Sequence, residues 1–453
     1  MANVDNDSMT CLVDAPREKP NVAIIGGGYA GFAAAVTLKD EGISCCVFEA
    51  GSTLGGRARR IEYKGEVIDN GQHILAGAYT ELLRLMRHVG VPDAAFQRIP
   101  LRLSMPPDFL IRAKRTRLLP GRTYLAWAIL TAKGLSLCDK VAAIRFMHKL
   151  KRAKFQIAAS KTVAALLAEH RQPKNLIDHL WQPLTISALN TPMATASAQV
   201  FANVLRDSLA SNQEASDLLL PRVDLTALFP QPAAAWLARH GSETQVGIGI
   251  KNILPEHGRY KIISSRGAQV FDGVILAVGP HQLEGLLPDI QSPAVQYEPI
   301  ITVYFKFDQL VRLPEPMFGQ KDGLAQWFFD RAALNGDGGD GGLIAAVISA
   351  SGPHDLLAQE ELAERVLAEL KQHVAGLPPP IWRKVITEKF ATFACTPNAD
   401  RPLATTRYPG VFRAGDYVAG DYPATLEGAV RNGISAAQAT IAYLQSPTAE
   451  SAP

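Results

Sequence analysis

Residues 21–49 restrict the fold of this 453-residue chain more than any other stretch. They open with a short apolar run at 22–25, which is typical of a buried parallel strand. Glycines then follow at the G-x-G-x-x-G spacing, at Gly26, Gly28 and Gly31. A helix-forming run and a second apolar run come next, and the second run ends in Glu49. This order predicts a βαβ unit whose glycine turn and helix N-terminus bind the pyrophosphate of a dinucleotide.

A second glycine turn directly after Glu49 extends the pattern. Glu49 is suited to accept the hydrogen bonds of a ribose diol, and Gly55, Gly56 and Arg57 follow it closely. This E-x5-G-G-R arrangement resembles the second signature of the amine oxidase and phytoene desaturase superfamily of flavoproteins. Residues 69–73, Asp-Asn-Gly-Gln-His, continue the resemblance. The resemblance implies FAD as the cofactor.

Two later segments agree with that superfamily. Residues 410–416 read as a strand ending in Gly415 and Asp416, and residues 423–433 open a helix. In flavoproteins of this superfamily the matching Gly-Asp contacts the FAD phosphate and ribityl region. The helix opening there places a backbone N–H, here near Leu426, against the flavin pyrimidine oxygens. Residues 245–253 look like the family element that covers the adenine, with Ile250 at the clamping position.

The cofactor motifs lie at both ends and in the middle of the chain, which predicts a discontinuous architecture. We expect an α/β fold, with a Rossmann-type FAD-binding domain built from residues 20–100, 215–290 and 400–446. An interleaved α+β substrate or cap domain is expected to comprise residues 101–214 and 291–399. Residues 1–19 are polar and contain proline, so we expect a disordered leader, and residues 447–453 form a tail.

Positive charge is concentrated in residues 102–154, which hold 13 Lys or Arg against two acids, whereas the whole chain carries only +3. Apolar and aromatic residues at 123–137 lie among these cations. The segment is either a solvated helical face of the cap or an element that rests on an anionic membrane. No nucleic-acid-binding motif accompanies the charge, so a nucleic acid partner is not expected.

Cysteine usage and hydropathy bear on location. The five cysteines are odd in number and lack metal-ligand spacing, so we expect reduced thiols, a cytoplasmic protein and no metal site. No run approaches the roughly 18 apolar residues of a spanning helix. The protein is therefore expected to be cytoplasmic and peripheral on the inner face of the cell membrane.

The middle of the chain narrows the resemblance. Residues 181–192, 216–230 and 232–237 look like the hydroxysqualene dehydroxylase family of the bacterial hopanoid pathway, earlier described as squalene-associated FAD-dependent desaturases. The resemblance implies reductive removal of the hydroxyl group of hydroxysqualene, a long isoprenoid lipid, with hydride from N5 of reduced flavin. Only one complete dinucleotide fingerprint is present, so a separate flavin reductase or electron carrier is expected to supply the electrons.

Few side chains suit the catalytic step, because the flavin carries the difficult chemistry. His73 is the candidate for acid catalysis or for positioning water, with a purely structural histidine as the alternative. Glu427 is assigned equally to helix-end structure or to catalysis. Aromatic faces can stabilise a cation, and four aromatic residues are candidates for the substrate pocket, each with plain core packing as its alternative: Trp181, Trp327, Phe328 and Phe329.

Two other functions remain open from the sequence. A polyene desaturase or isomerase acting on a carotenoid-like substrate would use the same domain with oxidised FAD. A non-catalytic lipid-binding protein on the same fold is the third hypothesis. The intact glycine turn, Glu49 and Arg57 argue against it.

Overall fold

The computed structural model describes residues 20–114, 124–287, 290, 293–335 and 342–446. The expected leader and tail, residues 1–19 and 447–453, lie outside the described residues. In chain order the strands are β1 Asn21–Ile25, β2 Ser44–Glu49, β3 Arg60–Tyr63, β4 Glu66–Asp69, β5 Leu75–Ala76, β6 Phe96–Ile99, β7 Arg102–Met105, β8 Phe109–Arg112, β9 Leu218–Pro221, β10 Glu243–Val246, β11 Ile250–Glu256, β12 Arg259–Ser264, β13 Gly267–Phe271, β14 Gly273–Leu276, β15 Tyr297–Lys306, β16 Met317–Gly319, β17 Trp327–Asp330, β18 Leu343–Ser349, β19 Trp382–Phe393 and β20 Val411–Arg413.

The helices are α1 Tyr29–Asp40, α2 Thr80–His88, α3 Tyr124–Leu130, α4 Leu137–Arg152, α5 Val163–Glu169, α6 Lys174–Leu176, α7 Gln182–Leu189, α8 Ala198–Val204, α9 Leu225–Leu228, α10 Pro230–Arg239, α11 Arg331–Asn335, α12 Gln359–His373 and α13 Leu426–Gln445. Two π-helical turns, Ile177–Trp181 and Leu205–Leu209, interrupt the helical region. Among the helices of the described residues, none combines the length and hydropathy needed to cross a lipid bilayer.

A five-stranded parallel sheet in the order β10-β2-β1-β14-β20 confirms the predicted Rossmann-type fold. β1 pairs with β2 on one side and with β14 on the other, and β14 pairs with β20 near the C-terminus. β1 and β14 are almost completely buried, as expected for parallel strands covered on both faces. The sheet therefore takes strands from three distant parts of the chain.

Helices α1 and α13 pack closely on each other and on this sheet, because small residues lie where they meet. A Cβ atom on Gly31 would lie 2.0 Å from the Gly26 carbonyl oxygen, and one on Gly433 would lie 2.2 Å from the Ala30 carbonyl oxygen. Neither distance is possible for a larger residue. These glycines thus fix how closely α1 approaches the glycine turn and α13.

A second five-stranded sheet is antiparallel and has the strand order β16-β17-β18-β15-β19. Helix α12 covers one of its faces, and the opposite face borders a large cavity. Side chains along a strand alternate between the two faces of a sheet, so successive residues of Trp327–Asp330 lie on opposite faces. Trp327 and Phe329 face the cavity, whereas Phe328 packs with Phe318 under α12. The prediction of Phe328 as a pocket residue is therefore wrong.

Helices α3 to α8 form the remaining layer, whose core is aromatic and aliphatic. Trp181 is at the centre of this core and packs edge-on against Phe146 and Phe201. Its indole Nε1 donates to Gln172 Oε1 at 2.9 Å. Trp181 does not border the cavity, so its prediction as a pocket residue is also wrong. Its structural alternative, plain core packing, is what the structure shows.

Candidate functional site

A cavity of about 1030 Å³ opens at the carboxyl ends of the parallel strands. Ligands of open α/β sheets bind in this position. The cavity extends from the glycine turns to the face of the antiparallel sheet that carries Trp327 and Phe329. Ten of the predicted cofactor residues border it: Gly26, Gly28, Glu49, Gly55, Gly56, Arg57, Ile250, Gly415, Asp416 and Leu426. Gly31 lies behind Gly26 and acts through packing.

The two glycine turns form one continuous backbone edge of the cavity. Gly28 and Gly55 are paired as a parallel bridge, and Gly55 N–H donates to the Gly27 carbonyl at 2.8 Å. Gly28 is the N-cap of α1, and no side chain caps the helix there. The first N–H groups of α1 therefore remain available at an edge without side chains, which fits the diphosphate of a dinucleotide.

Glu49 is oriented before any ligand binds. Its Oε2 accepts from Gly27 N–H at 2.9 Å and its Oε1 accepts from Gly51 N–H at 2.7 Å. A carboxylate has further lone pairs beyond these two bonds. Glu49 can therefore accept the two hydroxyl hydrogens of a ribose while its backbone contacts hold it in place.

Arg57 connects the second glycine turn to the C-terminal motif. Its Nη2 pairs with Asp416 Oδ1 at 2.5 Å, and its Nη1 donates to the carbonyls of Ala391 at 2.7 Å and Phe390 at 3.0 Å. Asn70 donates to the Arg57 carbonyl at 3.0 Å and to Glu388 Oε2 at 2.9 Å. Residues from three separated parts of the chain are thus joined at one wall of the cavity.

His73 borders the cavity as a neutral ring with a defined tautomer. Its Nδ1 lies 2.8 Å from the Gly71 carbonyl oxygen, so Nδ1 must carry the proton and donate it. Burial lowers the pKa of His73, opposed by that hydrogen bond, so the ring stays neutral at neutral pH. Its Nε2 is then an acceptor. This geometry suits positioning of a hydroxyl group or a water and disfavours His73 as the acid.

Glu427 does not border the cavity and has a structural role. The residue is 0 % exposed, and its two carboxylate oxygens accept from the backbone N–H groups of Glu81 at 3.1 Å and Leu82 at 2.9 Å. Arg431 donates to it at 2.7 Å. Glu427 therefore caps the start of α2 from the neighbouring helix α13. Of the two roles predicted for it, helix-end structure matches its contacts and catalysis does not.

Apolar side chains dominate the part of the cavity away from the glycine turns. Trp327 and Phe329 lie in its wall, and Trp327 Nε1 donates to Ser187 Oγ at 2.8 Å, which orients the indole ring. Five aliphatic residues from β7, β8 and the region of α7 complete this wall: Leu103, Ile111, Leu180, Leu184 and Ile186. An apolar ligand can be enclosed here next to the dinucleotide edge.

Sequence reasoning missed several polar residues of this site. Glu388 and Asn190 border the cavity, and Asn190 Nδ2 donates to Thr392 Oγ1 at 2.9 Å. Glu388 lies on β19, outside every motif of the sequence analysis, and Asn190 ends α7 inside the family-like segment 181–192, where nothing in the sequence marked it as a site residue. The described residues hold no cluster of three or more His, Cys, Asp or Glu side chains suited to a metal ion.

Comparison with known proteins agrees with this geometry. The model of a family described as flavin containing amine oxidoreductase matches residues 29–441. A hydroxysqualene dehydroxylase of Rhodopseudomonas palustris is 29 % identical over 433 residues, which cover 93 % of this chain and 98 % of the relative. A zeta-carotene desaturase of Synechocystis is 25 % identical over 480 residues, covering 93 % of this chain and 97 % of the relative. The resemblance predicted from the sequence is confirmed.

Solved structures with low sequence identity share the fold. An oxidoreductase from Methanosarcina mazei superposes with a TM-score of 0.70 at 15 % identity, over 92 % of this chain and all of that chain. At this identity the likeness establishes the architecture and leaves the reaction open.

Proposed function

This chain belongs to the flavin containing amine oxidoreductase family, and we propose that it removes the hydroxyl group of hydroxysqualene to give squalene in the hopanoid pathway. It is an FAD-dependent oxidoreductase. The observation that carries the proposal is the single cavity in which the dinucleotide edge and an apolar wall meet. Its volume is near the upper end of the range for ligand pockets, about 300–1,000 Å³, as expected for a site that accepts both a dinucleotide and a long lipid.

The chain itself supplies binding, orientation and exclusion of water. When bound, reduced FAD would supply the hydride that replaces the hydroxyl group at the allylic carbon and, on being oxidised, the proton with which that hydroxyl leaves as water. The apolar wall around Leu184, Trp327 and Phe329 encloses the isoprenoid chain, where each buried CH₂ contributes about 0.8 kcal/mol. The same wall excludes the water that would recapture an allylic cation, and its two aromatic faces can stabilise positive charge. His73 Nε2 accepts a hydrogen bond from the hydroxyl group or from the water that it becomes.

A polyene desaturase is the second candidate, favoured by the similarity to zeta-carotene desaturase over almost the whole chain. It would use the same cavity with oxidised FAD and a hydrocarbon substrate. The non-catalytic hypothesis is not retained, because the chain belongs to an oxidoreductase family.

One experiment separates the two reactions. The purified protein is incubated anaerobically with hydroxysqualene and reduced FAD, and in parallel with a carotenoid precursor and oxidised FAD, and the lipids are analysed. We expect squalene in the first incubation and unchanged polyene in the second. New double bonds in the polyene with no squalene formed would favour the desaturase.

Electrons are proposed to reach the FAD from a separate reductase or carrier. The other glycine-containing candidate, residues 246–250, lies at the end of β10 and the start of β11, and no helix follows it. It cannot form the turn of a second dinucleotide site. Stopped-flow mixing of the oxidised protein with NADH or NADPH should leave the flavin absorbance unchanged on the timescale of turnover. Rapid, saturable bleaching without a partner would contradict the proposal.

An anionic membrane is proposed as the surface from which the lipid enters. Three large apolar side chains are exposed within an eleven-residue stretch of α3 and α4: Trp127 at 49 %, Leu130 at 43 % and Leu137 at 72 %. Residues 124–154 carry seven Lys or Arg and one acid, Asp139. That acid is buried and caps α4 through Ser136, so the outward charge is positive. Apolar insertion beside cations is the combination that binds acidic lipid surfaces.

A further inference from the structure

Gln72, directly before His73 in the chain, borders the cavity and has one unused hydrogen-bond donor. Its side chain is 9 % exposed and forms part of the cavity wall. Gln72 Oε1 accepts from Arg331 Nη1 at 3.3 Å, and Gln72 Nε2 donates to the His73 carbonyl at 3.2 Å. A primary amide carries two donor hydrogens. One N–H of Gln72 therefore has no acceptor among the described residues.

Arg331 fixes the orientation of the Gln72 amide. A guanidinium group only donates hydrogen bonds, so the atom of Gln72 that faces Arg331 must be the oxygen. Arg331 is buried, and its nearest counter-charge is Asp69, with 3.8 Å between Nη2 and Oδ2. Asp69 is itself held by Leu225 N–H at 2.8 Å and, through its carbonyl, by the Tyr304 hydroxyl at 3.0 Å. A buried polar network thus locks the orientation of Gln72.

His73 presents the complementary acceptor. Its Nδ1 proton is donated to Gly71, which leaves Nε2 as a lone-pair acceptor on a side chain that borders the same cavity. A donor and an acceptor are therefore offered by consecutive residues, and each is oriented by a hydrogen bond on its far side. An alcohol group both donates and accepts, so it satisfies both atoms. A hydrocarbon satisfies neither.

We propose that the Gln72 Nε2–H group and His73 Nε2 bind the hydroxyl group of the substrate. Arg331 is then the positioning residue that keeps the Gln72 amide in the required orientation. This inference deepens the proposed function and rests on it, because it names the groups that distinguish an allylic alcohol from the hydrocarbon product. A site built to bond a hydroxyl group rejects an analogue that lacks one, since its own polar atoms are then left without partners. The same pair thereby favours release of the product.

The test compares binding of hydroxysqualene and squalene to the FAD-loaded protein, followed through the flavin absorbance. Gln72→Met keeps the length of the side chain and removes both polar atoms. Gln72→Glu keeps an acceptor for Arg331 and removes the donor. Loss of one hydrogen bond should reduce the preference for the alcohol about two- to tenfold in both variants, with affinity for squalene retained.

Arg331 does not border the cavity, so its effect distinguishes positioning from contact. Arg331→Met should reduce the preference for hydroxysqualene as much as Gln72→Met does. Arg331→Lys should keep most of the wild-type preference, because Lys keeps the charge and a donor. A matched control is Gln172→Leu. Gln172 is also buried and bonded through Oε1, but to Trp181 and away from the cavity. This variant should lower stability and leave the binding ratio unchanged.

The outcomes separate the inference from the function on which it rests. Wild-type protein that binds the two lipids equally and converts no hydroxysqualene would remove the proposed function and the inference together. Wild-type protein that converts hydroxysqualene and prefers it, while both Gln72 variants keep the full preference, would overturn the inference alone. The inference would be supported if both Gln72 variants and Arg331→Met showed a reduced preference for hydroxysqualene while Arg331→Lys stayed close to the wild type.

Discussion

Replacing Glu427 by alanine tests whether this buried carboxylate stabilises the fold or takes part in catalysis. The substitution removes the acceptor of two backbone N–H groups at the start of α2 and leaves Arg431 without its carboxylate partner, although Arg431 still donates to Thr80. A buried donor without an acceptor costs about 1–3 kcal/mol, so the two donors together should cost about 2–6 kcal/mol. Arg431 is partly exposed and can turn to water, so it adds little.

Urea unfolding measures this cost as a lower midpoint with an unchanged slope. Glu427→Gln should lose about half as much stability, because an amide has one acceptor atom where the carboxylate has two. Glu361→Ala is the matched control, since Glu361 also pairs with an arginine four residues later but on the surface. Such an exposed pair contributes about 0–1 kcal/mol.

Turnover per bound flavin should remain near the wild-type value in both Glu427 variants wherever they are folded. The structural assignment of Glu427 would be refuted if Glu427→Gln unfolded at the wild-type urea concentration while turnover fell a hundredfold or more. A loss of turnover that merely follows the loss of folded protein would agree with the assignment.

Three further predictions concern the cofactor, the membrane and pH. Glu49→Ala should weaken FAD binding about 10- to 100-fold, because a charged acceptor of the ribose hydroxyls is lost, and unchanged flavin retention in dilute dialysis would contradict the assignment. Trp127→Ser combined with Leu130→Ser should reduce sedimentation with acidic vesicles and leave turnover of detergent-dispersed lipid intact. If the wild type bound neutral and acidic vesicles equally at every salt concentration, the basic segment would instead be a solvated face. Burial raises the pKa of Asp69 to about 6, so this carboxyl is ionised opposite Arg331 at pH 7 and becomes neutral below about 6. The preference for hydroxysqualene should therefore decline between pH 7 and pH 5 more steeply in the wild type than in Asp69→Asn, where only protonation of His73 can still reduce it, as titrations at several pH values would show.

The cofactor side of the molecule was predictable because its determinants are local. Gly26, Gly28 and Glu49 lie within one βαβ unit, where the turn, the helix start and the strand end follow each other in sequence. Parallel strands end at one edge of a sheet, so assigning Gly415 and Asp416 to the same edge required only the motif. The discontinuous sheet follows from those positions.

The polar contacts behind the site were not predictable, because they join residues far apart in sequence. Arg331 meets Gln72 across 259 positions and Glu427 meets Leu82 across 345. No local pattern identifies such a partner. Phe328 was wrongly predicted for a related reason: in the run Trp-Phe-Phe the alternation of faces is evident, but the sequence does not indicate which face α12 covers.

The parallel sheet has a consequence for how the protein is made. β1 near the N-terminus reaches β20 near the C-terminus through β14, and α1 packs on α13. Ribosomes add about 5–20 residues per second, so roughly 20–80 seconds separate the synthesis of Gly26 from that of Gly415. Throughout that interval the nascent chain has the glycine turn at Gly26 but lacks Gly415 and Asp416, and the apolar face that α13 covers is exposed. Flavin binding should therefore occur only after β20 and α13 have been synthesised, so a yellow product would show that translation had passed α13.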